Sequence, residues 1–275
     1  MSNITAADIS KLRKITGAGM MDCKKALTEA EGDFERAKDL IRERGLAIAN
    51  KRADRDATEG AVLALVSEDK KFGVVVGVNC ETDFVAKNSD FVGMVRKILA
   101  LALDKQPANI DALKALELNG QKVEEFVAER SGITGEKMEL SYYAKINAEY
   151  VIPYIHMGNK LATIVGFNKS TEEGVAKGIA MQVAAMNPVS VDTENVPQEV
   201  IERELAIGRE QAKNDGKPEN MLDKIAQGKL SKFFKESILL NQEFVKEGKI
   251  SVGDYLKKQD AELSVTEFKR FGLSN

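Results

Sequence analysis

The chain has 275 residues, 43% of them hydrophobic and 30% charged, with a net charge of −3 at pH 7. That length accommodates one large domain or two or three small ones with real cores, and the slightly acidic balance argues against direct nucleic-acid binding, which needs a basic field. No apolar run is long enough for a membrane span, and the opening MSNITAADIS lacks the apolar stretch of a signal peptide, so a cytoplasmic protein is expected.

The first 54 residues read as a three-helix domain and a linker. Thr5-Ala6-Ala7-Asp8 offers a capping-box start, and Ile9, Leu12 and Ile15 form an apolar stripe that stops at Gly17. Met20, Cys23 and Leu27 mark a second helix, ended near Gly32. Asp33 is the expected N-cap of a third, with Phe34, Ala37, Leu40 and Ile41 inward and Gly45 at its C-terminal end. Such a unit has a small core and is marginal alone. The charged stretch LAIANKRADRDATEG reads as a solvated linker, its basic run Arg42, Arg44, Lys51, Arg52 and Arg55 facing water.

The period then changes. Residues 61–67 and 72–79 are apolar runs around the polar turn SEDKK, a β-hairpin. The stretch NCETDFVAKNSDF follows, with Thr82-Asp83-Phe84-Val85 at its centre. Phe84 has two readings there: an anchor at a sheet–helix junction, with Asp83 a cap or turn residue, or a side chain aimed outward. Phe91, Val92, Val95, Ile98, Leu99 and Ala102 next mark one face of a helix, and charged helical sequence continues to about Gly135. Met138, Leu140, Tyr142, Ala144, Ile146 and Ala148 alternate with polar residues, a strand with one buried and one wet face.

A second hairpin, YVIPYIHMGNKLATIVGF, turns at Met157-Gly158-Asn159. Ser170-Thr171-Glu172-Glu173 is the expected cap of a helix with Val175, Ile179, Val183 and Met186 inward, stopped by Asn187-Pro188. The order hairpin, helix, strand, hairpin, helix suggests two loosely related halves, residues 55–140 and 141–275. Residues 197–242 interrupt the second half. Pro197 and Pro218 each sit where a helix begins, NDGKP reverses the chain, and the apolar seam is narrow (Ile201, Leu205, Ala212; Leu222, Ile225, Phe233). That is an antiparallel helical hairpin with too little core of its own. A short helix over 252–258 and a strand in AELSVTEFKRF end the chain. The fold class is therefore α+β.

Catalytic and cofactor motifs are missing. His156 is the one histidine, excluding zinc-protease pairs, and an exposed histidine beside a turn is its bland reading. Cys23 and Cys80 fit no metal or CxxC spacing and read as reduced thiols. SGITGEKM lacks the first glycine and the Ser or Thr of a phosphate loop. TGAG at 16–19 follows no strand and lacks the third glycine of a dinucleotide fingerprint. No cofactor and no enzymatic activity are expected.

Two stretches carry a likeness. KLRKITGAGMMDCKKALTEAEGDFERA (11–37) and VNCETDFVAKN (78–88) resemble the two signature regions of the bacterial elongation factor Ts family, the guanine-nucleotide exchange factors of elongation factor Tu. YIHMGNKLATIVGF and IAMQVAAMNP stand where that family has its second hairpin and the following helix, so the likeness spans nearly the whole chain. It implies a ubiquitin-associated-like N-terminal domain, a two-part α+β core, and a helical hairpin used in dimerisation, hence a homodimer through that hairpin. It also implies elongation factor Tu as partner, bound through Thr82, Asp83, Phe84 and Val85, with the Asp83-Phe84 pair entering its GTPase domain near the Mg²⁺ and phosphate site. Leu12, Arg13, Met20 and Met21 of the head would touch the same domain, although Leu12 also fits the core stripe and both methionines read equally well as core. His156 would face the third domain of the partner. Two departures stand out. The chain stops at GLSN, where many family members continue into a C-terminal module that embraces the GTPase domain, so the resemblance does not carry that contact over; and Met157 and Asn159 occupy positions where glycines are common. An adaptor that binds peptides through the three-helix head is the competing reading, but it requires neither the TDFV stretch nor the β-rich core.

Overall fold

The computed structural model describes residues 4–273; the first and last residues of MSNITAADIS and GLSN lie outside them. The architecture is α+β. The head is built of α1 (Ala6–Thr16), α2 (Met20–Glu29) and α3 (Phe34–Lys51). Thr5 and Asp8 form the capping box of α1, and Asp33 caps α3 by accepting from the Glu35 and Arg36 amides. Its core gathers Leu12, Cys23, Ala26, Leu27, Ala37, Leu40 and Ile41.

The body follows as β1 (Glu59–Val66), β2 (Phe72–Cys80), α4 (Asp83–Ala86), α5 (Ser89–Lys105), α6 (Ile110–Ala115), the short pair β3 (Glu117–Leu118) and β4 (Gln121–Lys122), α7 (Val123–Thr134) and β5 (Met138–Asn147). Then come β6 (Tyr150–Ile155), β7 (Leu161–Phe167), α8 (Glu173–Met186), α9 (Gln198–Asn214), α10 (Glu219–Ser237), α11 (Val252–Gln259) and β8 (Val265–Gly272). Two antiparallel three-stranded sheets, β1-β2-β5 and β6-β7-β8, stack face to face. Val62, Ala64, Val75, Ile146, Val151, Ala162 and Ile164 fill the space between them. The outer face of the first sheet packs on α5 and α7 through Leu63, Val74, Val76, Val78, Val95, Ile98 and Phe126; the second sheet packs on α8 through Val165, Phe167, Ile179 and Val183. β2 is covered on both faces, which is why FGVVVGVNC reads as an unbroken apolar run. No helix among the described residues is long and apolar enough to cross a membrane.

Several expectations need correcting. α3 does not end at Gly45 but runs on to Lys51, because Gly45 and Gly132 of α7 cross in near contact. A Cβ on Gly132 would collide with the Gly45 Cα, so only glycine permits this crossing. The linker is largely exposed, as expected, but its basic run is not free in water: Arg42 pairs with Glu125, Arg44 with Glu29, and Arg52 and Arg55 both with Glu81. The head is thus docked on the body. β5 pairs with β2 from Met138 to Asn147, so a division of the body at 140/141 would cut a strand.

The single alternating face expected of β5 is split. The register slips between Gly77 and Val78, leaving Ser141 without a partner, and the pleat changes phase there. Met138 and Leu140 face the helices, whereas Tyr142 and Ile146 face the other sheet, where Tyr142 stacks on Phe271 at 4.1 Å. The cap expected at Ser170-Thr171-Glu172-Glu173 makes no side-chain hydrogen bond to α8, and Met186 is exposed rather than inward. In the helical hairpin the buried seam is Gly208 and Ala212 against Leu222, Ala226 and Leu230, while Ile201, Leu205, Ile225 and Phe233 stay half-buried.

Candidate docking face

After β2 the chain must leave the sheet and start a helix. Thr82 stays extended and caps α4, a single turn, its hydroxyl 3.5 Å from the Val85 amide. That hydroxyl donates to Glu136 Oε1 at 2.6 Å, and the Thr82 amide donates to Oε2 at 3.0 Å. One carboxylate therefore grips Thr82 through both oxygens. The neighbouring Glu81 accepts from the Lys137 amide at 2.6 Å, from Arg52 at 3.0 Å and from Arg55 at 3.2 Å. The Lys137 amide, helped by the two arginines, holds the Glu81 carboxyl below the usual range. The turn is fixed at its N-terminal flank by residues distant in sequence.

A single helical turn cannot bury every side chain. Ala86 is buried and Val85 half-buried against the core, which aims Phe84 away from it, and Phe84 is 85% exposed. Asp83 pairs with Lys87 at 2.6 Å; that hydrogen bond lowers the Asp83 carboxyl, with a further contribution from the charge of Lys160. The pair is exposed and adds little stability. Beneath the turn the Cys80 thiol is buried, and desolvation pushes it up to about 12; burial also raises Cys23.

The β6–β7 tip lies beside this turn. Lys160 reaches Glu59 of β1 at 2.7 Å, and the Val62 amide donates to the Asn159 carbonyl at 2.7 Å. Met157 is 91% exposed at the tip. His156 is exposed too, its Nδ1 2.9 Å from the Tyr154 hydroxyl. On the other side the α1–α2 loop approaches: Gly17 and Val85 line one cleft. Arg13, Met20 and Met21 are on the head surface. Leu12 is not; it is completely buried in the head core, which corrects its assignment as a surface contact. Ile15, expected inward, is 56% exposed instead. Steps of three residues drift backward by about 60° around a helix, so the core face passes from Leu12 to Thr16 and leaves Ile15 outside. The periodicity of α1 contained that signal. Glu136 carried no motif that could have marked it, and Glu81, though within the VNCETDFVAKN stretch, is not singled out there.

Exposed side chains on these three segments are Arg13, Ile15, Met20 and Met21 of the head, Phe84 of the turn, and His156 and Met157 of the hairpin tip. Exposed apolar side chains rimmed by charge on rigid supports are a surface for a macromolecular partner. Among the described residues no group of His, Cys, Asp and Glu side chains forms a metal cage. Residues 81–275 match the family described as Elongation factor TS. A curated Elongation factor Ts of Azobacteroides pseudotrichonymphae is 51% identical over 272 residues, covering 98% of each chain. That of Porphyromonas gingivalis is 52% identical over 273 residues, again covering 98% of each. That of Christiangramia forsetii is 49% identical over 275 residues, covering 99% of this chain and all of the other. With half of its residues shared over nearly its whole length, this chain belongs to the elongation factor Ts family.

Proposed function

We propose that the protein is a guanine-nucleotide exchange factor that binds elongation factor Tu and promotes GDP release, acting by binding and not as a catalyst of chemistry. The observation that carries this reading is Phe84: a large aromatic ring held in water on a turn that Glu136 and Glu81 fix in place. A bound nucleotide is retained through Mg²⁺ and phosphate contacts made by mobile switch segments. A ring that fills the space of a displaced switch stabilises the arrangement in which Mg²⁺ is poorly held, and GDP then leaves. The coupling is reciprocal, so GDP weakens the exchange factor as much as the factor weakens GDP.

Magnitudes require more than one contact. Speeding release by three to four decades needs about 4–5.5 kcal/mol. Burying one phenylalanine contributes about 2–3 kcal/mol. Met20, Met21 and Arg13 on the head, Asp83 and Val85 flanking the ring, and His156 at the tip supply the remainder. Thr82 serves through its position, because its hydroxyl and amide are already occupied by Glu136. A homodimer through α9 and α10 belongs to the same reading, supported by Ile207 and Met221, which are exposed on a hairpin with little core. The test is GDP release from elongation factor Tu carrying a fluorescent GDP, with and without the protein: acceleration supports the reading and an inert mixture removes it.

A further inference from the structure

Arg130 on α7 is a cation with no hydrogen-bond or ion-pair partner for its guanidinium among the described residues. Its Nε is buried with no hydrogen bond, and no ion pair engages the guanidinium among the described residues. It lies over the Phe126 ring at 5.4 Å, and its Nη1 would be 3.0 Å from a Cβ on Gly17, so the left-handed Gly17 (φ 77°) leaves room for it beneath the α1–α2 loop. Arg130 lines a cleft of about 240 Å³ between head and body, with Val85, Phe91, Met94 and Ile133 as apolar wall. Asp90, at the start of α5, lines the same cleft without pairing with Arg130. Buried polar atoms are nearly always satisfied, and an arginine fork matches a carboxylate in both charge and shape.

We propose that this cleft receives an acidic side chain of the bound GTPase, which pairs with Arg130. The assignment rests on the exchange reading above. The cleft adjoins both parts of the docking face, through Gly17 on the head side and through Val85, next to Phe84, on the body side. A partner that covers Met20 and Phe84 together therefore passes over its mouth. The free protein leaves the guanidinium unpaired, and the complex satisfies it. Arg130 is a specificity and affinity residue here, and the like charge of Asp90 opposes the incoming carboxylate.

The test compares Arg130→Met with wild type, measuring affinity for elongation factor Tu across a salt series beside the thermal midpoint of the free protein. The expected result is affinity about tenfold weaker, a shallower salt dependence, and a thermal midpoint equal to or above wild type, because an unpaired cation has been removed. A purely structural arginine would instead lower the midpoint and leave the salt dependence unchanged. Affinity within twofold of wild type overturns the assignment, and it does so independently of the exchange reading if Phe84→Ala still slows release. A wild-type protein inert towards elongation factor Tu sinks both. Should Arg130→Met fail to fold, the exposed Asp90→Asn carries the test: affinity rises several-fold if a carboxylate enters the cleft, and unchanged or weaker affinity overturns the proposal.

Discussion

Phe84 separates a side chain that stabilises the fold from one held ready for a partner. Its ring packs into none of the buried cores, so Phe84→Ala should lower the unfolding free energy by under about 1 kcal/mol in a denaturant titration, where a buried phenylalanine would cost about 3–5 kcal/mol. The two thiols are the opposite case. Burial favours the neutral thiol, and with Cys80 pushed up to about 12, only about one molecule in ten thousand carries its thiolate at pH 8. Neither Cys23 nor Cys80 should react with a disulfide reagent in the native protein at that pH, and both should react in guanidinium; prompt native labelling would mean the β2–α4 junction opens. At this scale the sequence was partly legible. Thr82 to Val85 stood out as an aromatic in a connection, but whether the ring faced in or out depended on which neighbours the single turn of α4 could bury. Leu12 and Ile15 exchanged roles for want of a strict helical angle.

At the scale of elements, α3 and α7 hold the head against the body. Their crossing depends on Gly45 and Gly132 meeting without side chains, and Arg42–Glu125 closes its edge. Gly132→Ala puts a methyl group into the Gly45 backbone, and overpacking of that kind costs about 1–3 kcal/mol. The variant should lose that much stability and expose residues 45–55 to limited proteolysis, whereas a wild-type cleavage pattern would show the head is not docked there. The crossing was hidden in the sequence because Gly45 reads locally as a helix stop, and only a partner about ninety residues away makes it a contact. The bulge in β5 was hidden likewise: alternation from Met138 to Ala148 is unbroken in the sequence, and the change of phase at Ser141 comes from its partner strand. Hairpins, by contrast, were legible, since turn chemistry and period are local.

For the whole molecule, the sandwich sets the β6–β7 tip near the β2–α4 turn, and the helical hairpin stands apart from it. Among the described residues no side chain of α9 or α10 belongs to the sandwich cores, and the feet of the hairpin are joined by a Ser190–Ile238 bridge and by the Val189 amide donating to the Ser237 carbonyl at 2.9 Å. Ile238, Leu239 and Gln242 are buried in the body, so the hairpin ends at Ser237 and not at residue 242. Replacing residues 197–237 with a short Gly-rich linker should leave a cooperatively folded body by circular dichroism that still exchanges nucleotide at a reduced rate; loss of cooperative unfolding would make the hairpin part of the core. Family, fold class and the candidate contact residues were readable from local motifs, but the supports beneath them were not, because Glu136 on Thr82, Lys160 on Glu59 and the arginines on Glu81 join residues far apart in the chain. Whether this fixed ring drives nucleotide release is decided by GDP release from elongation factor Tu with wild type and Phe84→Ala at equal concentrations of folded protein. Wild type should accelerate release strongly and the variant should fall short by one to two decades, from losing about 2–3 kcal/mol of burial made only in the nucleotide-displaced complex. Equal acceleration by the two proteins would contradict that role for the ring.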